Sequence, residues 1–248
     1  AGFLAKTSAR TRGVTRILAV TAVAAERDAV LAGLPAGPPG QALAYQVRRA
    51  ATRAGELTCV AVGVGPAAAA AGVATLLATD GPYDAVLSVG VGGGFAGRAP
   101  VGSLVVADRV VLADLGADGP RGFLPADELG LGEAARVSTV LPPEPVRAVA
   151  DRVSAVAATT VGPVLTVSTA TGTDERAAVL ATRHRPAAEA MEGGGVLAAA
   201  LAHGVPFGEL RAISNIVGRR DRSAWSLPDA LALLGQAVAT LLDDRLML

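Results

Sequence analysis

The sequence predicts a three-layer α/β sandwich, in which helices cover both faces of a central mixed β-sheet. Short apolar runs alternate with longer helical stretches through most of the 248 residues, and 51% of the residues are hydrophobic, which is enough for a large core. Strands that alternate with helices form sheets that are largely parallel and covered on both faces. No internal repeat or linker interrupts the pattern. Residues 17–248 are therefore expected to form one domain, and residues 1–16, which are basic and lack an apolar run, a loose N-terminal tail.

The composition narrows the range of partners. Basic and acidic residues number 22 each, so no whole-chain charge favours nucleic acid or an anionic membrane surface. The run 60–78 is mostly alanine and is broken by glycine and proline, so neither a membrane span nor an anchor is expected. Cys59 is the only cysteine, which excludes an intramolecular disulfide and suits a reducing cytoplasm. A small-molecule partner and a cytoplasmic location are the resulting expectations.

Apolar runs and proline or glycine punctuation place the elements of the first half, because alanine is abundant everywhere and its helix propensity is uninformative here. Pro66 suits the first turn of a helix, and the prolines and glycines of 35–40 are typical of a turn. Two apolar runs separated by Ala54 and Gly55 predict a hairpin. In chain order, the predicted elements are strand 17–21, helix 24–34, turn 35–40, hairpin strands 45–50 and 57–62, helix 66–79, strand 85–90 and strand 101–112.

The second half follows the same alternation after an irregular stretch at 114–136. Pro142 and Pro145 are expected to open a helix, and Thr173 with Asp174 is expected to cap another. The last helix is long enough to cover one face of the sheet. The predicted elements are helix 142–158, strand 164–168, a helix capped at 173–174 and ending near 182, helix 193–203, strand 207–214 and helix 227–242.

Two glycine-rich segments are candidates for ligand contact. The segment 63–68 (GVGPAA) matches the G-x-G-x-x-A form of a dinucleotide-binding loop. However, Pro66 offers no N–H to a pyrophosphate and the next strand does not end in an acid, so a tight strand-to-helix turn is preferred. The segment 88–95 (SVGVGGGF) follows a buried strand and lacks a P-loop lysine. For this segment, ligand contact and a plain tight turn stay equally open.

Three polar residues occupy positions that suit a site. Glu192 lies at the start of a helix, where charge capping is its simplest role, but the glycines 193–195 favour a cleared space for a bound polyol. Asn215 follows an apolar strand at the end where open α/β sheets bind ligands, although asparagine is also a common turn former. Glu26 lies just inside the first helix and is a third candidate. The simpler interpretation is a solvated acid that the helix dipole stabilises. The two histidines lack metal-ligand spacing, so no metal site is expected.

In their order along the chain, these pieces resemble the superfamily of purine nucleoside phosphorylases and nucleosidases. The resemblance rests on Glu26 after the first strand, the glycine segment 88–95, the run 190–193 (AMEG) and the run 204–215 (GVPFGELRAISN). It covers nearly all of the chain after residue 16. The resemblance implies a fold of the nucleoside phosphorylase and hydrolase type.

Within that superfamily, the runs 167–173 (VSTATGT) and 211–225 (RAISNIVGRRDRSAW) are similar to those of the futalosine hydrolases. The resemblance implies hydrolytic release of hypoxanthine from futalosine, in the menaquinone pathway that runs through futalosine, without metal or organic cofactor. Adenine-cleaving relatives have an aspartate where this sequence has Asn215 and an aromatic residue where it has Gly172. An amide suits hypoxanthine, because a 6-oxopurine presents an acceptor at position 6 and an amide donates to O6 or N7.

The resemblance also implies the roles of individual residues. Asn215 is expected to hydrogen-bond the leaving base, Glu192 to bind the ribose 2′ and 3′ hydroxyls, and Glu26 to orient or deprotonate the attacking water. A carboxylate near the point of attack repels phosphate, which favours water as the nucleophile. Met191 is expected beneath the ribose. The other substrate-binding residues that the resemblance implies are Val91, Gly92, Gly93, Gly172, Thr173, Arg211 and Ser214.

Several alternatives stay open at this stage. A phosphate-dependent purine nucleoside phosphorylase, a nucleosidase for aminofutalosine or methylthioadenosine, and a non-catalytic nucleoside sensor would share the scaffold. Futalosine carries a carboxyphenyl group on its ribose side, and our hypothesis is that Arg219, Arg220 or Arg222 binds this carboxylate. Relatives assemble, so the resemblance implies a homodimer or higher homo-oligomer.

Overall fold

The structure, a computed structural model, describes residues 15–53, 55–120 and 122–243, in which strands and helices alternate. The strands are β1 (Thr15–Thr21), β2 (Ala36–Ala42), β3 (Tyr45–Thr52), β4 (Gly55–Ala61), β5 (Ala85–Gly94), β6 (Leu104–Leu112), β7 (Gly116–Gly119), β8 (Gly122–Pro125), β9 (Ser138–Val140), β10 (Thr159–Thr166), β11 (Ala188–Ala190) and β12 (Phe207–Ile216). The helices are α1 (Ala24–Leu31), α2 (Pro66–Thr79), α3 (Pro143–Val153), α4 (Asp174–His184), α5 (Gly193–His203) and α6 (Leu227–Leu241).

One mixed sheet holds most of the strands, in the order β11-β10-β6-β12-β5-β1-β4-β3-β2, with β9 beside β6. The central strand β5 runs parallel to both β1 and β12, whereas β12 runs antiparallel to β6. β11 pairs in parallel with β10 and antiparallel with β5, so five strands close into a ring. The predicted mixed sheet is confirmed, and its partial closure brings β11 next to β5.

Helices cover both faces of this sheet. One hydrophobic core lies between the sheet and α1, α3 and α6, and includes Val30, Val149 and Leu234. A second core lies between the sheet and the pair α2 and α5, and includes Val73 and Val196. Each such fully buried aliphatic side chain contributes about 1.5–3 kcal/mol to folding. The three-layer sandwich is therefore confirmed. None of the helices in the described residues has the length and apolar character that crossing a bilayer requires.

Several predicted elements are confirmed at or near their predicted bounds. α2 begins at Pro66 and ends at Thr79, and α5 runs from Gly193 to His203. β3 and β4 form the predicted hairpin. The hydroxyl of Thr173 caps α4 by accepting a hydrogen bond from the backbone N–H of Arg176. These are the elements whose signals are local in the sequence.

Other predictions were wrong. Residues 35–40 do not form a turn, because β2 occupies Ala36–Ala42 at the edge of the sheet, where a proline needs no N–H for a further strand. The predicted strand 85–90 continues to Gly94, since its glycines stay paired with β12 and β11. β7, β8, β9 and β11 were not predicted, because strands of three or four residues show too little alternation.

Two residues that were predicted to belong to the N-terminal tail lie in a strand instead. β1 begins at Thr15, so Thr15 and Arg16 belong to the sheet. Arg16 Nε donates to Glu56 Oε1 at 3.0 Å, and its guanidinium lies over the ring of Tyr83. The rest of the predicted tail, residues 1–14, lies outside the described residues.

Candidate active site

A cleft of about 270 Å³ opens at the edge of the sheet where the parallel strands β1, β5 and β12 end. Ligands of open α/β sheets bind at this edge, because the carboxyl ends of the strands and the loops after them meet there. Most of the predicted site residues line the cleft, namely Glu26, Val91, Gly92, Gly93, Met191, Glu192, Ser214 and Asn215. Within the described residues, no group of three His, Cys, Asp or Glu side chains is arranged to hold a metal ion.

Glu26 lies in the first turn of α1, and its side chain is buried, with the residue 5% exposed. Its Oε2 accepts hydrogen bonds from the backbone N–H groups of Ala22 (2.9 Å) and Val23 (3.3 Å). Its Oε1 accepts from the N–H of Val91 at 2.9 Å, which joins α1 to the glycine segment of β5. Burial excludes the alternative of a solvated surface acid. The three donors hold the carboxylate in one orientation.

Gly90 is the point at which two charged groups approach β5. A Cβ at this position would lie 2.7 Å from both Glu26 Oε1 and Arg211 Nη1, so any other residue would displace one of them. Gly90 lies inside β5, and Gly92 and Gly93 beyond it line the cleft. The tight-turn interpretation of the segment 88–95 is therefore wrong. Gly90 leaves room for the two charged side chains, and Gly92 and Gly93 form part of the cleft wall.

Glu192 immediately precedes α5 and is likewise buried. Its Oε1 accepts from the N–H of Gly65 at 3.2 Å, and its Oε2 lies 3.7 Å from Arg211 Nη1. Its side chain makes no capping hydrogen bond to α5, although Glu192 is the N-cap residue of that helix, and its oxygens contact Gly65 and Arg211 instead. Gly63 and Gly65 have φ values of 101° and 95°, as the predicted tight turn at 63–68 requires. That turn therefore positions Glu192 through a backbone N–H.

Arg211 supports the cleft from behind. It is 1% exposed and, although predicted to bind substrate, it does not line the cleft. Its Nε donates to Glu209 Oε1 at 3.0 Å, and its Nη2 donates to Ser88 Oγ at 2.7 Å. Burial by itself lowers the pKa of Arg211, but the carboxylates of Glu209 and Glu192 outweigh this effect and raise the pKa overall. Burial raises the pKa of Glu209, and Arg211 opposes that shift.

Asn215 lies near the end of β12, beside a β-bulge. Ile213 and Asn215 pair with consecutive residues of β5, the second of which is Gly93, so Ser214 is the extra residue. Both Ser214 and Asn215 line the cleft. Asn215 Oδ1 accepts from Ser214 Oγ at 2.9 Å, and Nδ2 donates to the carbonyl oxygen of Ile216 at 3.2 Å. The described residues thus engage the amide oxygen and one of the two N–H donors. Asn215 lies in a strand, so the turn-former alternative is wrong.

The outer rim of the cleft is formed by Arg220 and Trp225, in the loop between β12 and α6, and by Leu227, the first residue of α6. The guanidinium of Arg220 lies 5.2 Å from the centre of the Trp225 ring, within the range of cation–π contacts. Of the three arginines predicted as partners of a substrate carboxylate, Arg220 lines the cleft, whereas Arg219 and Arg222 do not.

A further buried carboxylate in the cleft, that of Glu189 in β11, was missed by the sequence analysis. Its Oε1 accepts from the backbone N–H of Thr171 at 2.8 Å, and its Oε2 accepts from the Thr171 hydroxyl. Burial raises the pKa of Glu189, and the hydrogen bonds from Thr171 oppose the shift. The available signal was a second glutamate, three residues before Glu192 in an apolar segment. The other lining residues that were not predicted are Ala22, Val23, Val64, Ala170, Thr171, Ala190, Val217, Trp225 and Leu227.

Gly172 and Thr173, which were predicted to bind substrate, do not line the cleft. Thr173 uses its hydroxyl to cap α4 instead. The preceding residues, Ala170 and Thr171, line the cleft in their place. The prediction identified the right loop and was displaced along it.

The glycines 193–195 do not clear space for a polyol, because protein atoms fill that space. A Cβ at Gly193 would lie 2.4 Å from the carboxylate oxygens of Glu209, and one at Gly195 would lie 2.0 Å from the carbonyl oxygen of Pro66. The glycines therefore allow α5 to pack closely against α2 and against the buried Glu209. The prediction that these glycines make space for a bound polyol was therefore wrong.

Comparison with known proteins places the chain in a family. The family model of the phosphorylase superfamily matches residues 16–244. The chain is also 52% identical over 235 residues to futalosine hydrolase from Streptomyces coelicolor, in a match that covers 91% of this chain and 94% of the relative. The chain belongs to the futalosine hydrolases of the phosphorylase superfamily. A second futalosine hydrolase, from Thermus thermophilus, is 35% identical over 186 residues and covers 74% of this chain and 80% of its own length.

Solved structures share the fold of this futalosine hydrolase family member. The native structure of futalosine hydrolase of Helicobacter pylori matches with a TM-score of 0.78 at 20% identity, covering 93% of this chain and 98% of that one. S-adenosylhomocysteine nucleosidase from Streptococcus pyogenes, in complex with 5-methylthiotubericidin, matches with a TM-score of 0.81 at 23% identity, covering 93% and 97%. The implied fold of the nucleoside phosphorylase and hydrolase type is thereby confirmed.

Proposed function

We propose that this protein hydrolyses the N-glycosidic bond of futalosine, releasing hypoxanthine and dehypoxanthine futalosine as a step in menaquinone biosynthesis. The observation that carries the proposal is that Glu26, Glu192 and Asn215, far apart in the sequence, line one cleft. Hydrolysis of a nucleoside requires activation of water, binding of the ribose and stabilisation of the leaving base at one place. The identity to the Streptomyces coelicolor enzyme supports futalosine as the substrate.

Glu26 is proposed to orient and deprotonate the attacking water. Its oxygens already accept from Ala22, Val23 and Val91, so the carboxylate is held in place before substrate enters. A general base of this kind contributes about 10²–10⁴-fold to the rate. Glu192 adds a second carboxylate to the same cleft, and two carboxylates repel a phosphate dianion. Water is therefore the better nucleophile here.

Glu192 is proposed to accept hydrogen bonds from the ribose 2′ and 3′ hydroxyls. An ionised carboxylate at this point also stabilises the positive charge that develops on the sugar as the glycosidic bond breaks. Gly65 and Arg211 hold the two oxygens of Glu192, so the group is oriented in advance. Met191, beside it in the cleft, is proposed to pack beneath the ribose.

Asn215 is proposed to stabilise the departing hypoxanthine. The described residues use one of its two amide N–H donors, so the second can donate to O6 or N7 of the base. Negative charge grows on the purine as the bond breaks, and a fixed donor is worth more to that state than to the neutral substrate.

Arg220 is proposed to bind the carboxylate of the carboxyphenyl group. It lines the outer rim of the cleft beside Trp225 and Leu227, which offer apolar surface for the phenyl ring. An aromatic and aliphatic surface that ends in a guanidinium matches a phenyl ring that ends in a carboxylate.

Incubation of the purified protein with futalosine, with and without phosphate, tests the proposal. We expect hypoxanthine and the free sugar product to form at equal rates in both reactions. Chromatography measures the two products. Formation of a sugar phosphate, with a rate that depends on added phosphate, would instead establish a phosphorylase. No base release from futalosine, in protein that does bind hypoxanthine, would contradict the proposed activity.

The proposed assembly is a homodimer or higher homo-oligomer, and the proposed location is the cytoplasm. The resemblance to relatives that assemble supports the first. Cys59, a buried free thiol whose pKa burial raises to about 12, suits a reducing compartment. Light scattering on the purified protein tests the assembly, and a monomeric mass would contradict it.

A further inference from the structure

One buried acid of the cleft has no part in the proposed hydrolysis. Glu189 is 7% exposed, lines the cleft and carries its carboxylate on the short strand β11. Burying a carboxylate is costly unless it is well bonded, and Thr171 supplies two hydrogen bonds to it. The position of Glu189 in the sheet indicates which part of a bound substrate its carboxylate would face.

Glu189 and Asn215 flank the same residue of β5. Gly93 pairs with Glu189 across the antiparallel β5–β11 ladder and with Asn215 across the parallel β5–β12 ladder. Residues paired in this way point their side chains to the same face of a sheet. Gly93 lines the cleft together with both side chains, and the absence of a Cβ there lets the Asn215 amide and Val217 approach β5, since a Cβ would lie 3.2 Å from Asn215 Nδ2 and 2.7 Å from Val217 Cγ2. Two strand spacings place the Cα atoms of Glu189 and Asn215 about 9–10 Å apart.

The edge of a 6-oxopurine presents three polar groups in a row. N7 and O6 are acceptors, and N1 carries a hydrogen that must be accepted. A 6-aminopurine has the opposite pattern at two of these positions, because its amino group donates and its N1 accepts. An ionised carboxylate only accepts hydrogen bonds, and an amide both donates and accepts. A carboxylate and an amide at the two sides of the base therefore match the 6-oxopurine.

We infer that Glu189 determines specificity for the 6-oxopurine base, by accepting the N1–H while Asn215 donates to O6 or N7. The inference rests on the proposed function, since it assigns the base end of that same site. It requires acceptor capacity beyond the two bonds from Thr171, and a carboxylate has about four acceptor positions. N1 of a 6-aminopurine would face the same carboxylate with acceptor against acceptor, and this repulsion disfavours binding of the 6-aminopurine.

The variant Glu189→Gln tests the inference. Its amide oxygen can still accept the N–H of Thr171, while its NH₂ group can donate to an N1 acceptor but cannot accept N1–H. We expect the ratio of kcat/KM for futalosine to that for its 6-amino analogue to fall at least about 10-fold, because a hydrogen bond to a charged group is lost on one substrate only. An equal fall for both substrates would show that Glu189 only anchors the loop, and would overturn the inference.

Thr171→Val is the matched control for the anchoring role. It removes the hydroxyl that donates to Glu189 and leaves the backbone N–H bond in place. We expect it to lower kcat/KM for both substrates by the same factor and to leave their ratio unchanged. A change of ratio equal to that of Glu189→Gln would assign discrimination to loop geometry and contradict the role of the carboxylate.

Binding of free bases separates this inference from the proposed function. Calorimetry with hypoxanthine and adenine needs no turnover, so it reports on Glu189 even if futalosine is not hydrolysed. We expect the wild-type protein to prefer hypoxanthine, and Glu189→Gln to lose at least about 10-fold of that preference. An unchanged preference, in a variant whose melting temperature shows that it is folded, would overturn the inference whatever the enzyme assay shows.

Discussion

The inner end of the cleft and its outer rim are held by contacts of different range. At the inner end, Glu26 accepts from Val91, 65 residues away, and Glu192 accepts from Gly65, 127 residues away. At the rim, Arg220 lies over Trp225 in the same loop. The acidic groups proposed for catalysis are thus tied to distant parts of the chain, whereas the two rim side chains contact each other within one loop, whose backbone is anchored to Asp174 and Ser214.

This difference separates chemistry from recognition of the substrate tail. Moving either inner carboxylate breaks hydrogen bonds to backbone N–H groups, so its orientation is set before substrate arrives. The Arg220 side chain contacts Trp225 within the same loop, so its replacement alters the outer cleft without removing any of these hydrogen bonds. We therefore expect substitutions to affect the rate most at the inner end, and to affect mainly KM at the rim.

Glu26→Gln gives the largest expected effect. The amide fills the same space but cannot accept a proton from water, so kcat/KM for futalosine should fall about 10²–10⁴-fold. Release of hypoxanthine, measured by a coupled absorbance assay, gives the rate. Glu175→Gln, at an exposed position of α4, is the control and should retain full activity. A Glu26→Gln variant with more than a tenth of the wild-type rate would remove Glu26 from the mechanism.

Asn215→Asp should follow, with a fall of about 100-fold in kcat/KM for futalosine, because an ionised carboxylate repels the charge that develops on the base. The same assay measures it. Ser214→Ala, which removes the donor to Asn215 Oδ1 but keeps the amide, should lose much less. If Asn215→Asp were no slower than Ser214→Ala, the amide would have no part in leaving-group stabilisation.

Arg220→Ala tests the rim. A charge-assisted hydrogen bond to the carboxyphenyl group is lost, so KM for futalosine should rise about 10-fold or more, with kcat nearly unchanged. Inosine has the same base and ribose but no carboxyphenyl group, and its kcat/KM should not change. Arg222→Ala, beside the same tryptophan but outside the cleft lining, is the matched control. Equal losses on futalosine and inosine would show that Arg220 does not read the tail.

Gly195→Ala should reduce the stability of the fold rather than act on the reaction itself. Its Cβ would lie 2.0 Å from the carbonyl oxygen of Pro66, and forced contacts of this kind cost about 1–3 kcal/mol. The melting temperature should fall by about 2–4 °C for each kcal/mol. Gly172→Ala is the control, because a Cβ there meets no atom within 4 Å. If Gly195→Ala were as stable as Gly172→Ala, close packing of α5 on α2 would not explain the glycine.

Local signals in the sequence were enough for several features. Pro66 at the start of α2 and the Thr173 cap of α4 depend on atoms within one helical turn, so their interpretation needed no distant partner. The resemblance predicted Glu26, Glu192 and Asn215 as site residues, because they lie in runs whose order is typical of the superfamily. All three line the cleft.

The tertiary structure decided the features that depend on distant partners. β2 is a strand despite its prolines, because pairing with β3 supplies hydrogen bonds that local preference does not foresee. Glu189 reaches the cleft only because β11 closes the sheet onto β5, and the glycines 193–195 acquire their role from Glu209 and Pro66. A sequence specifies which chemical groups are available and which hydrogen bonds form between neighbouring residues. Which buried groups become neighbours depends on strand register and helix packing, and these bring together residues that are far apart in the chain.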